Sequence, residues 1–443
     1  MRTPVRDFIN AYREKDTVRL HMPGHKGREL VGYESLDITE IMGADSLYEA
    51  NGIIKESEQN ASSLFCCETF YSTEGSSQCI RAMMYLVTLY ARQKGEKPTV
   101  LSARNCHKTF ISAAALLDID VEWLFDGKGS YLSCDIDAKK IDEYLSKAEK
   151  KPTALYLTSP DYLGKIADIE QISRVCKERG ILLCIDNAHG AYLAFLEESL
   201  HPICLGADIC CDSSHKTLPT LTGGAYLHIS NDAPSVFTEN AKDALAFFGS
   251  TSPSYLILQS LDATNSYIAN GYEKKLARLV EKLSALKERL CNIGYSFYGD
   301  EFTKLTLECK KYGYLGYEIE EILRKNDIIC EYFDSDYVVL MFTPEINDAE
   351  LEKLEKMLVS IPKRREIETA SPIFSIPQRS MSIREATMSP SKDLPVRECE
   401  GRVLARPGVS CPPAVPIAVP GEIITKEIIE AFIYYGMKTC AVI

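Results

Sequence analysis

No apolar run in this chain approaches the length of a membrane span, so an integral membrane protein is not expected. Positive charge is also short: 50 Lys and Arg stand against 63 Asp and Glu, a net charge of −13. That balance argues against a nucleic-acid-binding surface. Sixteen cysteines are present, yet no two of them stand at Cys-x-x-Cys spacing, so no metal site is expected. Several lie inside apolar runs, as Cys184, Cys210 and Cys211 do, and Met1-Arg-Thr-Pro4 does not open a secretion signal. They read as reduced core thiols of a cytoplasmic protein. No internal repeat or low-complexity tract occurs. What remains is ordinary globular composition, 45% hydrophobic and 26% charged, over 443 residues. That length exceeds one core, so two or three domains are expected.

Chemistry concentrates in the stretch Ala207 to Ile229, ADICCDSSHKTLPTLTGGAYLHI. A short apolar run breaks into hydroxyl residues, His215 stands directly before Lys216, and Gly223-Gly224 leads into a second strand-like run. A lysine in a pocket-like turn suits Schiff-base chemistry, because desolvation lowers its pKa and frees the amine to attack an aldehyde. Alone, Ser-x-His-Lys fits a solvated loop lysine as well. Upstream, Ile181 to Gly190 reads ILLCIDNAHG. Its unbroken apolar run suits a buried parallel strand, and in doubly wound sheets ligands sit beyond the carboxyl ends of strands. Asp186 and His189 fall there. An Asp in that place can keep a pyridinium nitrogen protonated, or it can simply cap a turn.

Asp-x-x-His followed at this distance by Ser-x-His-Lys resembles the pyridoxal phosphate (PLP)-dependent ornithine/lysine/arginine decarboxylase family, of the aspartate-aminotransferase-like fold type I. Further motifs stand in the family's order. His21-Met-Pro-Gly-His-Lys26 is its HMPGHK segment. Thr73-Glu-Gly-Ser-Ser-Gln78 before a periodic helix matches its phosphate loop, where helix-start amides favour an anion; Glu74 departs from the pattern, and its carboxylate must point away or be compensated. Arg104-Asn-Cys-His-Lys-Thr109 matches R-N-x-H-K-S/T. Ser159-Pro-Asp-Tyr-Leu-Gly164 resembles S-P-T-Y-x-G, with Asp161 where a hydroxyl residue is common. Cys411-Pro-Pro-Ala-Val-Pro-Ile-Ala-Val-Pro-Gly-Glu422 matches P-P-x-x-P-x-x-x-P-G-E, and Gly401 to Arg406 carries Arg406 where the family has an acid.

The resemblance implies that Lys216 holds PLP covalently, Asp186 faces the ring nitrogen and His107 stacks on the ring. Gly75, Ser76, Ser77, Ser213 and His215 would hold the phosphate, with His189 near cofactor or substrate. It implies decarboxylation of arginine, lysine or ornithine to an amine and CO2, in polyamine biosynthesis, by the family's short form acting as a homodimer or larger homo-oligomer. No nucleic-acid or membrane partner is expected. An aminotransferase or another PLP lyase on the same fold remains the alternative, and a catalytically silent PLP-fold protein a further one. The basic substrate needs an acidic partner for its distal cation. Asp161 is the candidate, with turn capping as its equal rival.

The chain pattern predicts an α/β architecture. An N-terminal segment spans 1–64 and a mostly parallel sheet with helices on both faces fills a large domain with linking helices over 65–290. A smaller α/β domain follows over 291–360, then a linker and C-terminal region over 361–443. Within the small domain the expected strands are Phe302 to Glu308, Ile328 to Phe333 and Tyr337 to Phe342.

Overall fold

The computed structural model describes residues 1–15, 17–125, 130–133, 135–408 and 413–443. Cys411 and Pro412, which open the proline-rich motif, lie outside the described residues. Seven strands form the main sheet: β1 (Glu68–Ser72), β2 (Thr99–Ala103), β3 (Asp120–Leu124), β4 (Ala154–Thr158), β5 (Leu182–Asp186), β6 (Ile209–Asp212) and β7 (Ala225–Ile229). Their order is β1-β7-β6-β5-β4-β2-β3. The sheet is mostly parallel, as expected; β2 pairs in parallel with β3, and β5 with β6. Every residue of β5, β6 and β7 is buried, which is why these strands read as unbroken apolar runs without alternation.

One strand departs from the parallel rule. β7 runs antiparallel to both β6 and β1. The cause lies in its connection: between β6 and β7 the chain holds only the four-residue helix Ser214–Thr217. A parallel return needs a crossover, usually a full helix, so β7 turns back beside the strand it follows.

The chain packs as two compact units. Met1–Pro98, Thr153–Leu155 and Ile169–Lys274 make the first, and Thr99–Pro152, Tyr156–Asp168 and Lys275–Ile443 the second. In the first, helix Ser76–Gln93 buries Ile80, Met83, Met84, Val87 and Ala91, one helical stripe. Burial of each larger side chain contributes roughly 1.5–3 kcal/mol. Helix Pro4–Glu14, which the sequence reading missed, opens this unit with Val5 and Ile9 buried.

The second unit contains the four-stranded antiparallel sheet β8 (Phe297–Tyr298), β9 (Lys304–Glu308), β10 (Tyr332–Phe333) and β11 (Tyr337–Met341), ordered β10-β11-β9-β8. Leu279, Leu283, Leu286 and Leu290, spaced for one helical face, pack in one core with Leu305, Leu340 and Leu358. The strand expected from Ile328 shrinks to two residues. Helix Gly316–Lys325 ends with Asp327 at φ 57° and the Ile328 amide bonded back to Leu323 O, so that backbone is spent on closing the helix. In the C-terminal region β12 (Lys392–Pro395) pairs antiparallel with β13 (Thr439–Val442). Among the described residues no helix is long and apolar enough to cross a membrane.

Candidate active site

The phosphate-loop motif sits between β1 and helix Ser76–Gln93. Gly75 caps that helix at φ 73°, ψ 175°, a region open essentially to glycine alone. Its amide donates to Gly223 O at 2.7 Å, which joins the two glycine-bearing loops. A Cβ on Gly223 would stand 3.0 Å from Thr73 O, so that approach also requires glycine. Glu74 is exposed and accepts a hydrogen bond from the Ser250 amide, which turns its carboxylate aside. Ser213 Oγ donates to Ser76 Oγ at 2.7 Å. Two hydroxyls from distant motifs thus meet at the start of an eighteen-residue helix, where backbone N–H groups and the helix dipole favour an anion.

Lys216 lies in the short helix after β6, half-buried, with Nζ 3.1 Å from His189 Nε2. His215 is fixed by a 3.0 Å hydrogen bond between Nδ1 and Gly224 O. Asp186 ends β5 and is 2% exposed. Its Oδ1 accepts from the Ala188 amide at 3.2 Å and from the Cys211 thiol at 3.8 Å. Parallel pairing of β5 with β6 sets Asp186 opposite Cys211. That register brings the Asp-x-x-His loop alongside the lysine turn.

His107 and Asp161 belong to the second unit. His107 caps helix Lys108–Leu117: Nδ1 accepts from the Thr109 amide at 3.2 Å, which assigns the proton to Nε2. Asp161 is buried and its carboxylate serves its own loop. Oδ1 accepts from the Leu163 and Lys165 amides at 3.0 and 2.9 Å, while Oδ2 accepts from Ser133 Oγ. Burial pushes its pKa up against these hydrogen bonds. Lys304 Nζ reaches Asp161 O at 3.3 Å and pairs with Glu301 at 2.7 Å, with both side chains 1% exposed. Arg104, from the R-N-x-H-K motif, pairs with Glu422 of the P-G-E motif.

The donor set of the first unit fits PLP. It offers hydroxyls and helix-start amides for a phosphate, a lysine amine for an aldehyde, and a buried carboxylate for a ring nitrogen. Residues 3–298 match the Orn/Lys/Arg decarboxylase major domain. The chain belongs to the Orn/Lys/Arg decarboxylase family. With that family it stands among the PLP-dependent amino-acid decarboxylases. YaaO of Bacillus subtilis is 28% identical, over 97% of this chain and 93% of its own length. The arginine decarboxylase of the same organism is 27% identical, over 96% of this chain and 92% of its own. Lysine decarboxylase A from Pseudomonas aeruginosa superposes with a TM-score of 0.82 at 16% identity, covering 99% of this chain and 80% of that one, a likeness of fold.

Sequence reasoning missed one group that family members' motifs do not announce. Asp212, at the end of β6, is fully buried and receives His201 Nε2 and His228 Nε2, each at 3.2 Å, on Oδ2. Burial opposes its ionisation, but the two histidines hold it below the usual carboxylate range. Burial also pushes His228 down, against the pull of Asp212. His201, Cys210 and Asp212 bring a nitrogen, a sulfur and an oxygen within 4.8 Å. With both imidazoles already on Oδ2, the cluster reads as a hydrogen-bonded network. Its signal in the sequence was an acid closing an apolar run, which usually marks no more than a strand end.

Proposed function

We propose that this protein decarboxylates a basic amino acid with PLP, arginine first among the candidates. The observation that carries the reading is Lys216 Nζ beside His189 Nε2 at 3.1 Å, next to the strand end that presents Asp186. Bound PLP supplies the electron sink for the pair left when the Cα–carboxylate bond breaks. Lys216 presents the amine that anchors the cofactor. His189 can accept or return a proton at Nζ, and Asp186, nearly solvent-free, offers the carboxylate for the ring nitrogen's proton. Ser76, Ser77, Ser213 and the amides after Gly75 would hold the phosphate, while His215 keeps the turn in place through Gly224. Arginine is favoured because full-length relatives near 27% identity carry that name.

The site is proposed to work in a homodimer in the cytoplasm. In the N-terminal segment Leu20 and Leu30 are each 89% exposed and Met42 is 99% exposed, a concentration of apolar surface that suits a second copy. Sedimentation velocity at micromolar concentration tests this, and a monomer throughout would refute it.

The deciding experiment incubates the PLP-loaded protein with arginine, lysine, ornithine and neutral amino acids, following CO2 and amine together. Amine with equimolar CO2 from a basic substrate is expected. Keto-acid formation would instead favour an aminotransferase. Borohydride reduction followed by peptide mass analysis should place the cofactor on Lys216.

A further inference from the structure

The cofactor-facing ends of β5 and β6 are joined through one buried carboxylate. Asp212 Oδ1 accepts from Asn187 Nδ2 at 2.6 Å. Asn187 is fully buried and its backbone is committed to the same place: its amide donates to Cys211 O at 3.0 Å, and its carbonyl accepts from the Gly190 amide at 2.8 Å. Asn187 therefore sits at the centre of the loop that carries Asp186 on one side and His189 on the other. Asp212 directly precedes Ser213 and opens the turn that carries His215 and Lys216.

The other carboxylate oxygen is held from two further segments, the loop at His201 and β7 at His228. An ionised carboxylate only accepts, so both His201 Nε2 and His228 Nε2 carry protons. His228 Nδ1 is hydrogen-bonded with the Thr69 hydroxyl at 2.9 Å, which extends the chain of contacts to β1. A buried carboxylate without donors would be strongly destabilising. Here three donors from three segments offset that cost, and their directions fix where the oxygens lie. An amide at this position can keep its oxygen on the two imidazoles only by turning its NH2 toward Asn187, which must then give up its own donor contact and flip to accept through Oδ1.

We propose that Asp212 is a positioning residue for the cofactor site: through Asn187 it locks the Asp186–Gly190 loop against the strand that leads into Lys216. This rests on the PLP reading above. It touches neither substrate nor cofactor in this role; it sets the places of Asp186 and His189 relative to Lys216.

The test compares Asp212→Asn, Asn187→Ala and, as a control, Asp262→Asn, which alters a different buried carboxylate of the same unit. PLP affinity is measured by fluorescence titration, and hydrogen exchange of residues 182–193 is followed in protein stripped of cofactor. Asp212→Asn and Asn187→Ala should each weaken PLP binding by about 10- to 100-fold, the range seen when groups that orient metal ligands are removed. Both should speed exchange in 182–193, and Asp262→Asn should do neither. Wild-type affinity in Asn187→Ala overturns the proposal even if Asp212→Asn fails to fold. Equal weakening by Asp262→Asn overturns it too, by reducing the effect to general destabilisation. If the wild-type protein itself binds no PLP, the cofactor reading fails, and the exchange comparison alone decides whether Asp212 holds the loop.

Discussion

The Arg104 guanidinium and the Glu422 carboxylate, 318 positions apart, form a buried ion pair with Nη2 2.6 Å from Oε2. Two motifs that look unrelated in sequence therefore meet inside the second unit. Arg104 also lies over the Trp123 ring at 4.9 Å, and the same Glu422 oxygen accepts from the Val419 amide at 2.8 Å. The proline-rich segment is thus held by charge as well as by its restricted backbone.

Removing one partner should be costly, because the other charge stays buried. Glu422→Gln is expected to lose about 3–5 kcal/mol in urea denaturation. Replacing both residues with Met should lose less than the single change. A loss below about 1 kcal/mol in Glu422→Gln, the scale of an exposed pair, would mean that the contact does not anchor the tail.

Asp186 is nearly solvent-free at the end of β5, where a neutral side chain could keep the shape but not the charge. Asp186→Asn should still take up PLP and still be reducible onto Lys216. Its kcat should fall roughly a hundredfold or more, the lower end of what a positioned proton-holding group contributes. Near-wild-type turnover with full cofactor occupancy would remove Asp186 from the chemistry.

Much of the first unit was legible because burial on both faces writes itself as apolar runs: β5 and β6 were readable for that reason, and the residues at their ends followed. The direction of β7 was not, since orientation depends on whether the link can cross the sheet, and a Gly-rich stretch does not reveal that. The pairing of β12 with β13 and the Arg104–Glu422 contact were invisible for a related reason, because one sequence carries no record of which distant segments meet. Asp212 was hidden by its position. An acid after Ile-Cys-Cys looks like a strand end until His201, His228 and Asn187 are seen to converge on it.

Asp161 had two readings of equal weight, and its contacts speak for the turn. Both carboxylate oxygens are engaged by Ser133 and by the amides of Leu163 and Lys165, the pattern of an Asx-type loop organiser. Asp161→Asn should therefore lower the melting temperature by a few degrees, with KM for the basic substrate unchanged within about twofold. A tenfold rise in KM at constant kcat would instead return Asp161 to the substrate's distal cation.

Asp334 gives the fold a pH dependence of known sign. Its Oδ1 accepts from the Asp336 and Tyr337 amides at 2.7 and 2.8 Å, and its Oδ2 from Tyr332 Oη at 3.0 Å. Even so, burial, with neighbouring Asp336 adding to it, raises its pKa to about 6. The nearby Lys310 is taken by Asp336 at 2.6 Å. The unfolded chain would titrate this group near pH 4, so between about pH 4 and 6 the folded state holds the proton more tightly. Stability linked to Asp334 is then fully present below about pH 4 and lost as pH rises through about 6. In Asp334→Asn that slope should vanish, because the amide can keep accepting from the two backbone groups without ever ionising. Urea melts of both proteins at pH 4.5 and pH 7.5 provide the check. The variant should gain on the wild type at the higher pH, and a gap of the same size at both would show that Asp334 does not titrate differently on folding.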